Sequence, residues 1–142
     1  MTKASGPARL VAILSIIFGL VAIGGGVATW ATITAQLSAE NITVPKDSPL
    51  VPGAKVQDPI SASAQAEIIN HHALTASGGK TYAELGALIT EARNAGDTAK
   101  ADELQAQRNT MMNASFLRAS LFTSVLAYGV SLLVIGLGVM FL

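Results

Sequence analysis

The sequence predicts an all-α membrane protein: an antiparallel two-helix transmembrane hairpin that carries an extracytoplasmic, mostly helical cap. Three observations lead there. Charged residues make up 13% of the 142 positions and apolar residues 51%, whereas soluble domains hold about 25% charged residues. The charges are also segregated: no Asp, Glu, Lys or Arg occurs in the 30 residues from Leu10 to Ala39 or in the 24 from Ala119 to Leu142. Between these two blanks a cluster of helix breakers is followed by renewed helix signals.

Residues 1–9 read as a cytoplasmic tail and residues 10–34 as transmembrane helix 1. Leu10 to Ala31, LVAILSIIFGLVAIGGGVATWA, has Ser15 and Thr29 as its hydroxyl side chains, and roughly 20 apolar helical residues cross a hydrocarbon core of about 30 Å. A cleaved signal peptide would share the basic start, but its apolar region typically runs about 7–15 residues. A buried core pair would carry a polar stripe, and neither blank has one. Lys3 and Arg9, with no acid beside them, place the tail in the cytoplasm. Two spans return the other terminus to the same side, leaving residues 40–117 outside. Trp30 then sits at headgroup level and Arg118 marks the outer start of the second span.

Residues 35–59 contain Pro45, Pro49, Pro52 and Pro59 and are expected to be extended, because proline interrupts helices. Residues 60–117 form the cap. Asp58 or Ser61 can cap a first helix that Gly78 and Gly79 end. Thr81 to Glu84 has the T-x-x-E form of a capping box, and its helix runs to Gly96. Asp97 or Thr98 starts a third helix with no Gly or Pro before Gly129, which continues into transmembrane helix 2, residues 118–142. The cap holds two aromatics, Tyr82 and Phe116, a thin supply for a core of this size.

Small residues recur at spacings of three and four in both spans: Ala8, Ala12, Ser15, Gly19, Ala22 and Gly26 in the first, Ser120, Ser124, Ala127 and Ser131 in the second, with Gly138 one heptad beyond. In lipid, helices associate through close approach of such residues, so these stripes are expected to pack the hairpin together. Two other readings stand beside this one. Small residues are common throughout an alanine-rich chain, and Gly24, Gly25 and Gly26 could serve a homodimer. Tyr128, about 15 Å below Arg118 at ~1.5 Å per residue, is expected near mid-membrane, its hydroxyl bonded to another helix.

Composition excludes several function classes. Nine basic and nine acidic residues leave a formal net charge of +0, without the basic excess on which nucleic-acid binding rests. With 0 cysteines there are no disulfides, thiolate metal sites or cysteine nucleophile. His71 and His72 are adjacent and project about 100° apart on a helix; even with Glu67 one turn earlier they do not suit a two-His-one-carboxylate metal site. Interface hydrogen bonding or a pH-sensitive contact suits them better. Gly78-Gly79-Lys80-Thr81 ends like a phosphate loop, but the motif's first glycine would fall on Leu74 and no strand precedes it. No catalytic residue, metal or cofactor is expected.

The stretches Ile69 to Leu85, INHHALTASGGKTYAEL, and Met112 to Gly138, MNASFLRASLFTSVLAYGVSLLVIGLG, resemble a family of two-span actinobacterial membrane proteins of unknown function. Its members often carry the inherited label of an aromatic ring-opening dioxygenase. Extradiol cleavage needs an iron held by two histidines and a carboxylate, so the label does not follow from these residues. The resemblance implies an actinobacterial plasma membrane and no established activity. The function expected is therefore that of a non-enzymatic accessory protein docking onto a larger plasma-membrane complex, respiratory or transport, through His71, His72, Tyr82, Phe116 and Arg118. The alternative is a self-assembling homo-oligomer, a pore being one form; an enzyme ranks last.

Overall fold

The computed structural model describes residues 6–142; Lys3, on which the expected tail orientation partly rests, lies outside them. The described chain is all-helical: α1 (Gly6–Ala39), α2 (Pro59–Ala76), α3 (Tyr82–Asn94) and α4 (Thr98–Met140). Two of these, α1 and α4, are long and apolar enough to cross a membrane. At 43 residues α4 is about 64 Å long, and the backbones of the other three helices approach α4 rather than one another.

Local chemistry explains the helix boundaries. Asp58 caps α2 by accepting from the amides of Ile60 and Ser61, while Ser61 Oγ accepts from the Asp58 amide, and Pro59 occupies the first turn, where its missing N–H costs nothing. At Ser77 the chain turns out of α2 through Gly78 and Gly79, whose φ angles of 64° and 79° suit residues without a Cβ. Thr81 and Glu84 form a reciprocal box at the start of α3, and Asp97 accepts from the Lys100 amide at the start of α4.

Two sequence expectations are corrected here. Helix α1 does not stop at residue 34: nothing between Trp30 and Ala39 breaks a helix, so five residues assigned to the extended segment continue it. The proline-containing segment is not an extended arm either. It doubles back, with Thr43 bridged antiparallel to Lys55, the Val44 amide donating to Ala54 and the Val56 amide to Ile42. The prolines exclude helix but do not stop this loop from burying Val44 and Val56, each 1% exposed.

The interior is divided in two. One cluster gathers Leu37 of α1, Val44 and Val56 of the loop, alanines of α2, and Leu121 and Tyr128 of α4. The other joins Ala73, Leu85, Ile89, Leu104 and Met111 with further alanines between α2, α3 and α4. Alanine supplies half of the buried residues in the second cluster, whereas the first is filled mainly by Leu, Val and Tyr128 with Trp30 packed against it.

Candidate functional site

Of the predicted small-residue stripes, Gly19, Gly26, Ser131 and Gly138 meet in a seam between α1 and α4, which run antiparallel there, whereas Ala8, Ala12 and Ser120 are exposed. Gly19 faces Gly138 so closely that a Cβ at Gly19 would lie 2.7 Å from the Gly138 carbonyl oxygen, and one at Gly138 2.8 Å from that of Gly19. Gly26 meets Ser131 and Ile135 in the same way. Gly19, Gly26 and Ser131 are buried, and Ser15, Ala22, Ser124 and Ala127 half-buried. The glycine run divides: Gly26 is occupied by α4, while a Cβ at Gly24 or Gly25 would meet nothing within 4 Å. Residues 10–14 are all exposed.

Tyr128 bonds another helix through its hydroxyl, as expected, and also reaches the loop. Its ring stands edge-on to Trp30, with centroids 4.6 Å apart, and its hydroxyl donates to the Gln57 carbonyl at 2.9 Å. Since a phenol has one proton, the 2.8 Å contact with Thr34 Oγ1 has the threonine donating. Tyr128 is therefore level with Trp30, near the end of α1, and not with Gly19 in the middle of the apolar run. The register of α4 against α1 is set where Gly19 meets Gly138, and no local signal in the sequence reveals it. Three segments meet at this one hydroxyl, with Lys55 and Asp58 on either side of Gln57.

The five docking candidates do not form one surface. Tyr82 and Arg118 line a cavity of about 420 Å³ together with Asn70, Ser115, Leu74 and Met111, among others. Arg108 lies over the Tyr82 ring at 4.1 Å. His71 borders a separate hollow with Asp47, Pro49 and Glu67. His72 Nε2 is 2.7 Å from Asp47 Oδ2, which ties α2 to the loop; this hydrogen bond above all holds the Asp47 carboxyl below its usual range. Phe116 is 66% exposed and lines neither hollow.

Two capping carboxyls are shifted in the same direction. At Asp58 burial pushes upward, but the bonds from the Ser61 amide, the Ser61 hydroxyl and the Ile60 amide outweigh it and hold the group below its ordinary value. At Glu84 the Thr81 amide and then the Thr81 hydroxyl do the same. The capping pairs were legible in the sequence because they are local. The contacts of Tyr128 with Gln57 and of Arg118 with the Tyr82 cavity span long separations and carry no such signal.

Arg118 is the least satisfied group of the site. Its Nε is buried and has no hydrogen-bond partner, and its guanidinium carbon lies 5.7 Å from the Phe122 ring centre. Among the described residues no three His, Asp or Glu gather as a metal ion would require. No protein-family model matches the chain, and neither a curated protein nor a solved structure matches it.

Proposed function

We propose that this chain is a non-enzymatic integral membrane accessory protein: α1 and the lower part of α4 form a transmembrane hairpin, and the loop, α2, α3 and upper α4 form an external platform that docks onto a larger plasma-membrane complex. One observation carries the membrane part. The most apolar windows of α1 and α4 are 11% and 17% buried, so packing the two helices together hides one narrow seam and leaves Leu, Ile and Val side chains facing outward. In water that surface would be far larger than the apolar patches of soluble monomers; in hydrocarbon it is solvated.

Trp30 and Tyr128 mark the outer boundary, as aromatic belts do. From Trp30 down to Leu10 is about 30 Å of helix, the thickness of the hydrocarbon core, and Arg9 follows at once. The charged loop residues Lys55 and Asp58 then lie in water. The docking part rests on the alanine-built cap interior and on Phe116 and Leu117, 66% and 56% exposed, above the boundary.

The test is recovery of a partner complex in mild detergent, quantified against a Phe116→Asp variant. The proposal expects a stoichiometric partner with the native chain, reduced recovery with the variant, and both chains in the membrane fraction. A monodisperse single chain would refute docking, and release by alkaline carbonate would refute integration. A second reading, self-association, is favoured by the open Gly24 and Gly25 on the side of α1 away from α4. Disulfide cross-linking from Gly24→Cys would yield dimers on that reading, whereas a Gly26→Cys and Ser131→Cys pair would close within one chain on the hairpin reading.

A further inference from the structure

We infer that the cavity Arg118 shares with Tyr82, between α2, α3 and α4, is a binding site for a small aliphatic monocarboxylate taken from the extracytoplasmic water. The inference rests on the external placement of the cap proposed above and adds a ligand that docking does not require.

The cavity lies in water. Arg118 stands ten residues and Met111 seventeen residues before Tyr128 on α4, so the cavity begins about 15 Å beyond the outer boundary and reaches about 25 Å. The headgroup layer adds only about 5–8 Å to each side of the hydrocarbon core. A ligand therefore arrives from solution and not from the bilayer.

The lining asks for one negative charge. Arg118 is cationic at any physiological pH. It is half-buried, its Nε has no acceptor, and the ion pairs among the described residues are His72–Asp47 and Lys100–Glu103, neither of which involves it. A guanidinium drawn out of bulk water without an acceptor is costly, and a carboxylate is a planar acceptor that matches its fork of donors. No acid of the chain fills this role. None lines the cavity, and the nearby Glu84 carboxylate is turned onto the Thr81 amide and hydroxyl at 2.7 Å each. A second negative charge would find no second cation. Arg108 is held on the Tyr82 ring at 4.1 Å, with its Nε donating to the Tyr82 carbonyl, and it is not part of the lining. One cation thus favours a monocarboxylate over phosphate or a dicarboxylate.

The remaining wall suits an apolar body. Leu74, Ala83, Met111 and Ala114 supply it, and Met111 and Ala114 are buried. A volume of about 420 Å³ falls within the range of ligand pockets and leaves room for a chain behind the carboxylate. Asn70 contributes further donors, whereas the Ser115 hydroxyl already donates to the Met111 carbonyl at 2.9 Å. Because Asn70 belongs to α2, Tyr82 to α3 and Arg118 to α4, one ligand would touch all three helices of the cap.

The experiment is NMR of the full chain in nonionic micelles, with ¹³C-methyl methionine, titrated with hexanoate, hexanamide, acetate and inorganic phosphate. Met111 reports the cavity, and Met140 at the other end of α4 is the control. Hexanoate should shift the Met111 signal saturably and leave Met140 in place. Hexanamide and phosphate should produce no such shift, and acetate should need far higher concentrations. Arg118→Gln should weaken hexanoate binding about tenfold, the loss of one charge-assisted contact. Ala114→Leu, which narrows the cavity and keeps the charge, should weaken it as well, and Trp30 fluorescence reports that each variant is folded. Absence of a saturable shift, equal affinity for hexanamide or phosphate, or unchanged affinity in either variant overturns the proposal. The external placement is read separately: Thr90→Cys, at an exposed position of α3, should react with an impermeant maleimide on intact cells. Reaction only after lysis would refute that placement and leave the binding result standing.

Discussion

Replacing Tyr128 by Phe isolates the contribution of the hydroxyl at which α1, the loop and α4 meet. The ring, 1% exposed, keeps its edge contact with Trp30, so packing is preserved and two hydrogen bonds are lost. Thr34 can recover its bond by donating to a carbonyl four residues back, as Thr29 and Thr32 already do. The Gln57 carbonyl has no such reserve within its segment, although the exposure of that residue lets water compensate in part. An unsatisfied buried acceptor costs about 1–3 kcal/mol; with these offsets we expect about 1–2 kcal/mol, a factor of roughly 5–30 in the folded-to-unfolded ratio. Unfolding in mixed micelles, followed by the fluorescence of Trp30, the single tryptophan, gives the midpoint. Hydrogen exchange at the Val44 and Val56 amides, which close the loop, gives the local effect. An unchanged midpoint together with unchanged exchange at these amides would refute the assignment of Tyr128 as the anchor of the loop.

Three further outcomes follow from the same geometry. Gly19→Ala should destabilise the chain by about 1–3 kcal/mol, because the added carbon overpacks the seam, while Gly24→Ala, with open space around it, should stabilise it by up to about 1 kcal/mol through helix propensity; the two midpoints, measured side by side, check this. Leu85→Ala should cost about 2–5 kcal/mol, since Leu85 is fully buried between α3 and α4, and thermal unfolding of the cap reports it. Asp58→Ala should cost about 0.5–2 kcal/mol at neutral pH. The folded carboxyl of Asp58 titrates below its ordinary value of 3.8, so its contribution is complete above that value and lost as pH falls through the lowered one. Unfolding midpoints of wild type and variant should therefore converge under strong acid.

What could be read from the sequence was local or periodic. The caps at Thr81 and Asp97 need residues three positions apart, the stop at Gly78 and Gly79 needs a missing Cβ, and the stripe of Gly19 and Gly26 repeats with the helix. The end of α1 was misplaced because Thr32 to Ala39 favours no conformation strongly, and the helix persists there through Leu37 packing into the junction. The fold of the proline-containing loop was hidden because prolines announce where helix cannot form and are silent on what replaces it. The cavity at Arg118 was out of reach for another reason: Asn70, Tyr82 and Arg118 lie on three different helices. Arg118 could be singled out from sequence as a charge beside an apolar stretch, but its missing partner could not.

The partnership of α1 with α4 also has a timetable. Thr34 and Tyr128 are 94 residues apart in the chain, and a ribosome adding about 5–20 residues per second needs roughly 5–19 s to cover that distance. For that interval α1 exists with its glycine seam uncovered, and any helix bearing a small-residue face can occupy it first. On the membrane reading proposed above, such a helix would compete with α4 for the seam until α4 has been made.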